Sequence, residues 1–349
     1  MHFLYLLLDE HVLNRFVSGL PGVWLIAVLV CAIVVLLKGA NWAIDGAVSL
    51  AERMQLPRIV IGATIISLGT TMPEMFVSTM AAWMGDPGLA LGNGVGSIIC
   101  DTGLIFGLMC ILNPPPVNRY ILNRTGWVQV GAATLLVVLA LNALATSNGE
   151  PYLSRSIGVL FLYLLICYLY ITYLWAKEGQ SLALEEKPAG GTTLVKAVLF
   201  TIGGLFGVIV GSRVLVPVAA ESAHRVGVPD DVIAATLVAF GTSVPELITA
   251  ISAVRKGHPE IMIGNVVGAD VLNCLFVIGA AAVAKPLFIQ TNFYLFHFPA
   301  MLIILYSFRA FIFMNKDGRF KRWQGIWILG VYLLYLFLQY TFNLGSLSG

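Results

Sequence analysis

Two segments of this 349-residue chain carry chemically capable residues at one spacing: Gly69-Thr-Thr-Met-Pro-Glu74 and Gly241-Thr-Ser-Val-Pro-Glu246. Each places a hydroxyl three residues ahead of a carboxylate, so Thr71 and Glu74, like Ser243 and Glu246, share one helical face. Each also carries a proline beside the acid. Pro73 and Pro245 have no N–H to give, so the carbonyls of Gly69 and Gly241 lose their helical partner. The distortion is expected to free neighbouring oxygens as well, notably that of Ser67, with Ala239 placed equivalently in the other half. Carboxylates, hydroxyls and loose carbonyls are the donors a hard cation such as calcium takes, six to eight at a time. One helix cannot supply that many, but two related by a pseudo-twofold axis could.

About one helix later each segment is followed by Gly92-Asn-Gly-Val-Gly96 or Gly264-Asn-Val-Val-Gly268, small residues that let helices pack closely. One turn further come Ser97 and Asp101 in the first copy, and Ala269, Asp270 and Asn273 in the second. Asp101 is expected to be a third acidic ligand. Asp270 points about 100° away from the Ala269 face by helical geometry. An acid at the bilayer centre costs about 3 kcal/mol even on insertion-based scales, so a matched pair of acids reads as functional. Asp45, Glu52, Glu221, Asp230 and Asp231 fall near expected helix ends, where solvation or capping accounts for them. Lys38, Arg213 and Arg309 are read as snorkelling or ion-paired, and His297 as packed or hydrogen-bonded.

The elements that must position these groups follow from composition. With 58% hydrophobic and 11% charged residues, the chain is an integral membrane protein, all-α. Stretches long enough to span number ten, at about 22–47, 58–83, 87–112, 125–145, 153–176, 194–220, 230–254, 260–284, 291–314 and 323–343. They group into an N-terminal interfacial segment (1–21), a first five-helix repeat (22–176), a cytoplasmic linker (177–193) and a second five-helix repeat (194–349). A net charge of +2 without a basic stripe excludes nucleic-acid binding. Cys31, Cys100, Cys110, Cys167 and Cys274 all lie in apolar stretches without metal or disulfide spacing and are expected to be buried packing residues.

The halves are related by a constant offset of 172 residues, with 13 identities in 40 between Gly62–Asp101 and Ala234–Asn273. Five helices per half make the second enter the membrane from the opposite side, an inverted repeat of the kind that lets a central site open to each side in turn. If the N-terminus lies outside, inward loops hold thirteen of the twenty lysines and arginines and outward segments four, so both termini are expected on the exterior or periplasmic side of a cell (inner) membrane. An embedded enzyme would need a His-Glu-x-x-His or Gly-x-Ser-x-Gly type of spacing, which is absent, and a channel would more naturally use an oligomeric ring.

With these motifs the chain resembles the calcium/cation antiporter superfamily, closest in plan to prokaryotic sodium/calcium exchangers. Gly69–Glu74 with Gly92–Ser97 resembles the family's first alpha-repeat, and Gly241–Glu246 with Gly264–Gly268 the second. The resemblance implies calcium transport, with ions held among the second, third, seventh and eighth helices. It implies Glu74 and Glu246 as central calcium ligands, and oxygens from Thr71, Ser97, Thr242 and Ser243 for calcium or flanking sodium. It also implies sodium on the carbonyls of Ser67 and Ala239, with Asp101 and Asn273 at the remaining paired polar positions. Such relatives commonly carry asparagine and aspartate there, so the two look interchanged, and Ala269 stands where a serine is common. The expected function is a secondary antiporter exchanging calcium for a monovalent cation, sodium, by alternating access. A calcium/proton or broader cation/proton exchanger is the alternative. Calcium and monovalent cations are its substrates and the bilayer its partner; neither a cofactor nor an obligatory protein partner is implied.

Overall fold

The computed structural model describes residues 10–54, 56–117, 119–146, 149–180, 193–225, 241–315 and 317–347. A short helix, α1 (Glu10–Ser18), leads into α2 (Gly22–Met54). A bent pair follows, α3 (Arg58–Thr70) and α4 (Met72–Met84), and then α5 (Pro87–Leu112), α6 (Arg119–Thr146) and α7 (Arg155–Gln180). The second half runs through α8 (Leu194–Arg225), α9 (Val244–Arg255), α10 (Pro259–Ala284), α11 (Phe293–Met314) and α12 (Arg322–Leu347).

Among the described residues, seven helices are long and apolar enough to cross a membrane, or eight if the α3–α4 pair, bent by 43°, counts as one broken span. These coincide with eight of the ten expected stretches. Of the other two, 230–254 lies partly outside the described residues, leaving α9, and 323–343 is covered by α12. The expected linker begins later than its composition indicates, because α7 continues through Gln180; residues 181–192 lie outside the described set. In the expected N-terminal segment, α1 packs Leu13 and Val17 against Leu25 of α2 and Val218 of α8.

Burial separates two kinds of helix. The spans of α5 and α10 are 72% and 83% buried, whereas those of α2 and α8 are only 28% and 33% buried and present most of their surface to the surroundings. α2 and α8 pack principally on each other. At their crossing a Cβ on Gly204 would stand 2.3 Å from the Ala43 backbone nitrogen, so only glycine allows this approach. Cys31 lies on the outer surface of α2 and is exposed, contrary to the expectation from its apolar neighbourhood. Cys100, Cys110 and Cys274 are buried as expected, and Cys167 is half-buried.

The central helices end alike in both halves. Gly85 closes α4 and Gly257 closes α9, each with left-handed φ (94° and 79°), a conformation glycine adopts without steric cost. Pro87 and Pro259 then start α5 and α10, where a missing N–H costs nothing. Midway along, α5 widens into a π-helical turn at Asp101–Phe106 and α10 into another at Asn273–Val277, 172 residues on. Such turns recur at functional positions because they re-aim side chains within a helix. Two small pairings tie loops together: β1 (Tyr152–Leu153) with β2 (Leu287–Phe288), and Pro116 with Arg319.

Candidate ion-binding site

The helix breaks bring the two glutamates to the centre. Thr71 (φ −82°, ψ −4°) and Ser243 (φ −84°, ψ 5°) occupy the same bridge-like conformation just ahead of Pro73 and Pro245. The resulting half-helices α4 and α9 each carry a glutamate in the first turn, where unpaired backbone N–H groups favour negative charge. Ser/Thr-x-x-Glu at a helix start is the sequence of a capping box. Neither hydroxyl caps, however; Ser243 Oγ lies beside Asp101 and Thr71 Oγ1 beside Glu246, neither in the geometry of a full hydrogen bond.

Around these breaks lies a concentration of buried oxygen. Glu74 is 0% exposed and Glu246 1%, and neither carboxyl has a hydrogen-bond partner among the described residues. Asp101 and Asn273, each opening a π-helical turn, meet across the two halves, with Asn273 Nδ2 donating to Asp101 Oδ2 at 3.4 Å. Glu74, Glu246 and Asp101 interact electrostatically, the Ser243 hydroxyl lies beside Asp101, and Thr70 and Thr71 lie beside Glu246. Ser97 is buried one turn before Asp101. Counting unpartnered atoms, the two glutamates supply four oxygens, and Asp101 Oδ1, Asn273 Oδ1, Thr71 Oγ1 and Ser243 Oγ one each. Buried carboxylates are costly to leave unpaired, and this donor set is all oxygen, the chemistry of a hard alkali or alkaline-earth cation. Among the described residues no three His, Cys, Asp or Glu side chains close into a ready-made metal centre, so hydroxyl and amide oxygens must complete any coordination shell.

The same chain matches, over residues 24–174 and 196–341, the sequence profile of the sodium/calcium exchanger protein family. The chain belongs to this family. It is 32% identical to the uncharacterized membrane protein MJ0091 of Methanocaldococcus jannaschii over 86% of this chain and 93% of that one. It is 28% identical to the sodium/calcium exchanger MaX1 of Methanosarcina acetivorans, covering 88% and 96%. Among solved structures it resembles the sodium-calcium exchanger NCX_Mj in crystals soaked with sodium and strontium, with a TM-score of 0.75, 28% identity and coverage of 89% of this chain and 97% of that one.

Within this exchanger-family fold, several expectations about single residues need revision. The Ser67 carbonyl, expected to be freed by the break, still accepts the Thr71 N–H at 2.9 Å and the Thr70 hydroxyl at 3.3 Å, because the helix holds its register up to Thr71. Both lone pairs of that oxygen are therefore engaged, and a ligand role for it requires the Thr70 hydroxyl to turn to its other acceptors, the Ile66 carbonyl or Asn265 Oδ1. Ala239 lies outside the described residues, as do Asp230 and Asp231. Thr242 donates its hydroxyl to Asn93 Oδ1 at 3.0 Å, and Asn93 in turn donates to the Glu74 carbonyl at 3.2 Å and to Ser78 at 3.0 Å. The mirror arrangement has Thr70 donating to Asn265 at 3.4 Å and Asn265 to Thr249 at 3.3 Å.

Asn93 and Asn265 thus lock each broken helix to its counterpart, a role that the Gly-Asn-x-Val-Gly motif disguises as packing. Gln129 of α6 and Thr102, both donating to Asp270 Oδ2, were not signalled by any repeat. Of the acids set aside by position, the three that are described are held in ion pairs. Asp45 pairs with Lys256 and Glu221 with Arg225, while Arg58 bridges Glu52 and Glu260. Arg309 donates to Asn123 and stacks on Trp127, and His297 meets the Tyr335 hydroxyl.

Proposed function

We propose that this chain is a secondary antiporter that exports calcium against an inward flux of sodium, with Glu74 and Glu246 as the central calcium ligands. The observation that carries this reading is the matched pair of fully buried glutamates, with no hydrogen-bond partners among the described residues, each at the start of a half-helix beyond a break. Thr71, Ser243, Asp101, Asn273 and Ser97 complete the shell, with Thr242 and the carbonyls of Ser67 and Ala239 contributing to flanking sodium positions. MaX1 and NCX_Mj, the relatives named as exchanging sodium and calcium, support the choice of ions.

Overlapping carboxylates make the two ions competitors, so filling by one expels the other. Alternating access comes from sliding of α2 and α8 across the remaining helices. This fits their pairing with each other and their small burial against the rest. The full plan is ten spans in two inverted five-helix repeats, both termini outside, in the cell (inner) membrane; the mirrored breaks, π-helical turns and closing glycines support it.

One observation favours a second reading, calcium/proton exchange: Ala269 is fully buried and brings no hydroxyl to the sodium side. Calcium uptake into proteoliposomes, with sodium, potassium and proton gradients imposed separately, decides between the two. The sodium gradient is expected to drive uptake and the pH gradient, in sodium-free buffer, to drive none. Uptake driven by the pH gradient alone would replace the first reading with the second.

A further inference from the structure

We propose that Asp270, Gln129 and Thr102 form a second cation position, beside the central glutamate pair, that takes one dehydrated alkali-metal ion. The proposal rests on the antiport reading above and adds a site to it. Asp270 is 1% exposed on α10, three residues before Asn273. Its Oδ2 accepts from Thr102 of α5 and from Gln129 of α6. None of the glutamate-site donors named above comes from α6, so Gln129 sets this group of donors apart from the first.

A purely structural aspartate would have its oxygens satisfied. Here Asp270 Oδ1 and Gln129 Oε1 are both buried without a hydrogen-bond partner among the described residues, although Gln129 itself is only 1% exposed. Turning the Gln129 amide over would only set two acceptor oxygens against each other. The two orphan acceptors call for a positive charge between or beside them.

Charge balance points the same way. Glu74, Glu246, Asp101 and Asp270 are four buried carboxyls, and none takes part in the ion pairs found among the described residues. A divalent cation balances two of them. Burying the remaining negative charge unpaired is strongly unfavourable, so it is neutralised either by protons or by further cations that enter with the divalent ion. Asp270 interacts electrostatically with Asp101, which links the second position to the first. One carboxylate with an amide and a hydroxyl oxygen is too small a donor set and too little charge for calcium, and suits a monovalent ion.

The test is steady-state calcium accumulation by the full chain in voltage-clamped proteoliposomes under a tenfold sodium or potassium gradient, the two tried separately. Removing one coupled monovalent ion lowers accumulation about tenfold under such a gradient. Asp270→Asn is expected to show that drop with the alkali ion that drives the wild type. Gln129→Leu, which keeps the charge and removes the amide oxygen, is expected to raise the half-saturating concentration of that ion by at least about fivefold. Unchanged accumulation in Asp270→Asn together with unchanged half-saturation in Gln129→Leu would overturn the second position. So would loss of calcium–calcium exchange in monodisperse Asp270→Asn, which would place Asp270 in the calcium site, or recovery of the lost accumulation by a pH gradient, which would make the occupant a proton. If Asp270→Asn is not monodisperse, the Gln129→Leu half-saturation decides. Absence of any alkali-driven calcium accumulation in the wild type would sink the antiport reading itself, a result distinct from all of these.

Discussion

Asp101 and Asn273 are separated by the 172-residue repeat offset, yet they touch, at 3.4 Å between Asn273 Nδ2 and Asp101 Oδ2. Exchanging them, in the double variant Asp101→Asn/Asn273→Asp, therefore moves the negative charge by only about one hydrogen-bond length. Asp101→Asn alone removes that charge from the group containing Glu74 and Glu246. At about 4 Å and an effective dielectric near 20, one unit charge is worth on the order of 4 kcal/mol. That corresponds to about a thousandfold weaker half-saturation by calcium. Asn273→Asp alone sets two carboxylates against each other and is expected to impair exchange as well. The double variant should return to within about tenfold of wild type, a coupling of at least about 3 kcal/mol, at or above the upper end for residues in contact. The assay is the calcium dependence of initial flux in proteoliposomes for all four proteins. A double variant as defective as Asp101→Asn, or a single variant with wild-type affinity, would refute the reasoning.

Two other substitutions probe the scaffold. Asn93→Leu removes three hydrogen bonds that join Thr242, Ser78 and the Glu74 backbone, and is expected to cost about 3 kcal/mol, read as a lower detergent-solubilised melting temperature together with slower exchange. Gly264→Val puts a Cβ 2.2 Å from the Ile59 carbonyl oxygen, and the forced separation of α10 from α3 is expected to destabilise by about 1–3 kcal/mol; unaltered thermal stability would show that the two helices part freely.

The glutamates, their hydroxyl partners and the central helices were readable in the sequence because proline and the repeated offset mark them covalently. Pro73 and Pro245 dictate where backbone hydrogen bonds fail, and both breaks stand where those residues require. What proline does not dictate is how far the disturbance spreads. Ser67 keeps its helical partner because the break is confined to Thr71, a matter of tertiary packing. Asn93 and Asn265 were visible in the repeat, but a small-residue motif gives no indication that its asparagine reaches across to the other half. Gln129 was not readable at all, since α6 carries no repeat motif and its contact with Asp270 exists only once three helices have packed. The interchange of Asp101 and Asn273 looked like a transfer of charge between halves; their contact makes it a small displacement at one place.

Antiport by this chain depends above all on Glu74 and Glu246 binding calcium. Sodium-gradient-driven calcium uptake into proteoliposomes, measured for wild type, Glu74→Gln and Glu246→Gln with each protein monodisperse before reconstitution, tests this most directly. Wild type is expected to accumulate calcium and both variants to accumulate none above protein-free vesicles. Substantial uptake by either variant would contradict the claim.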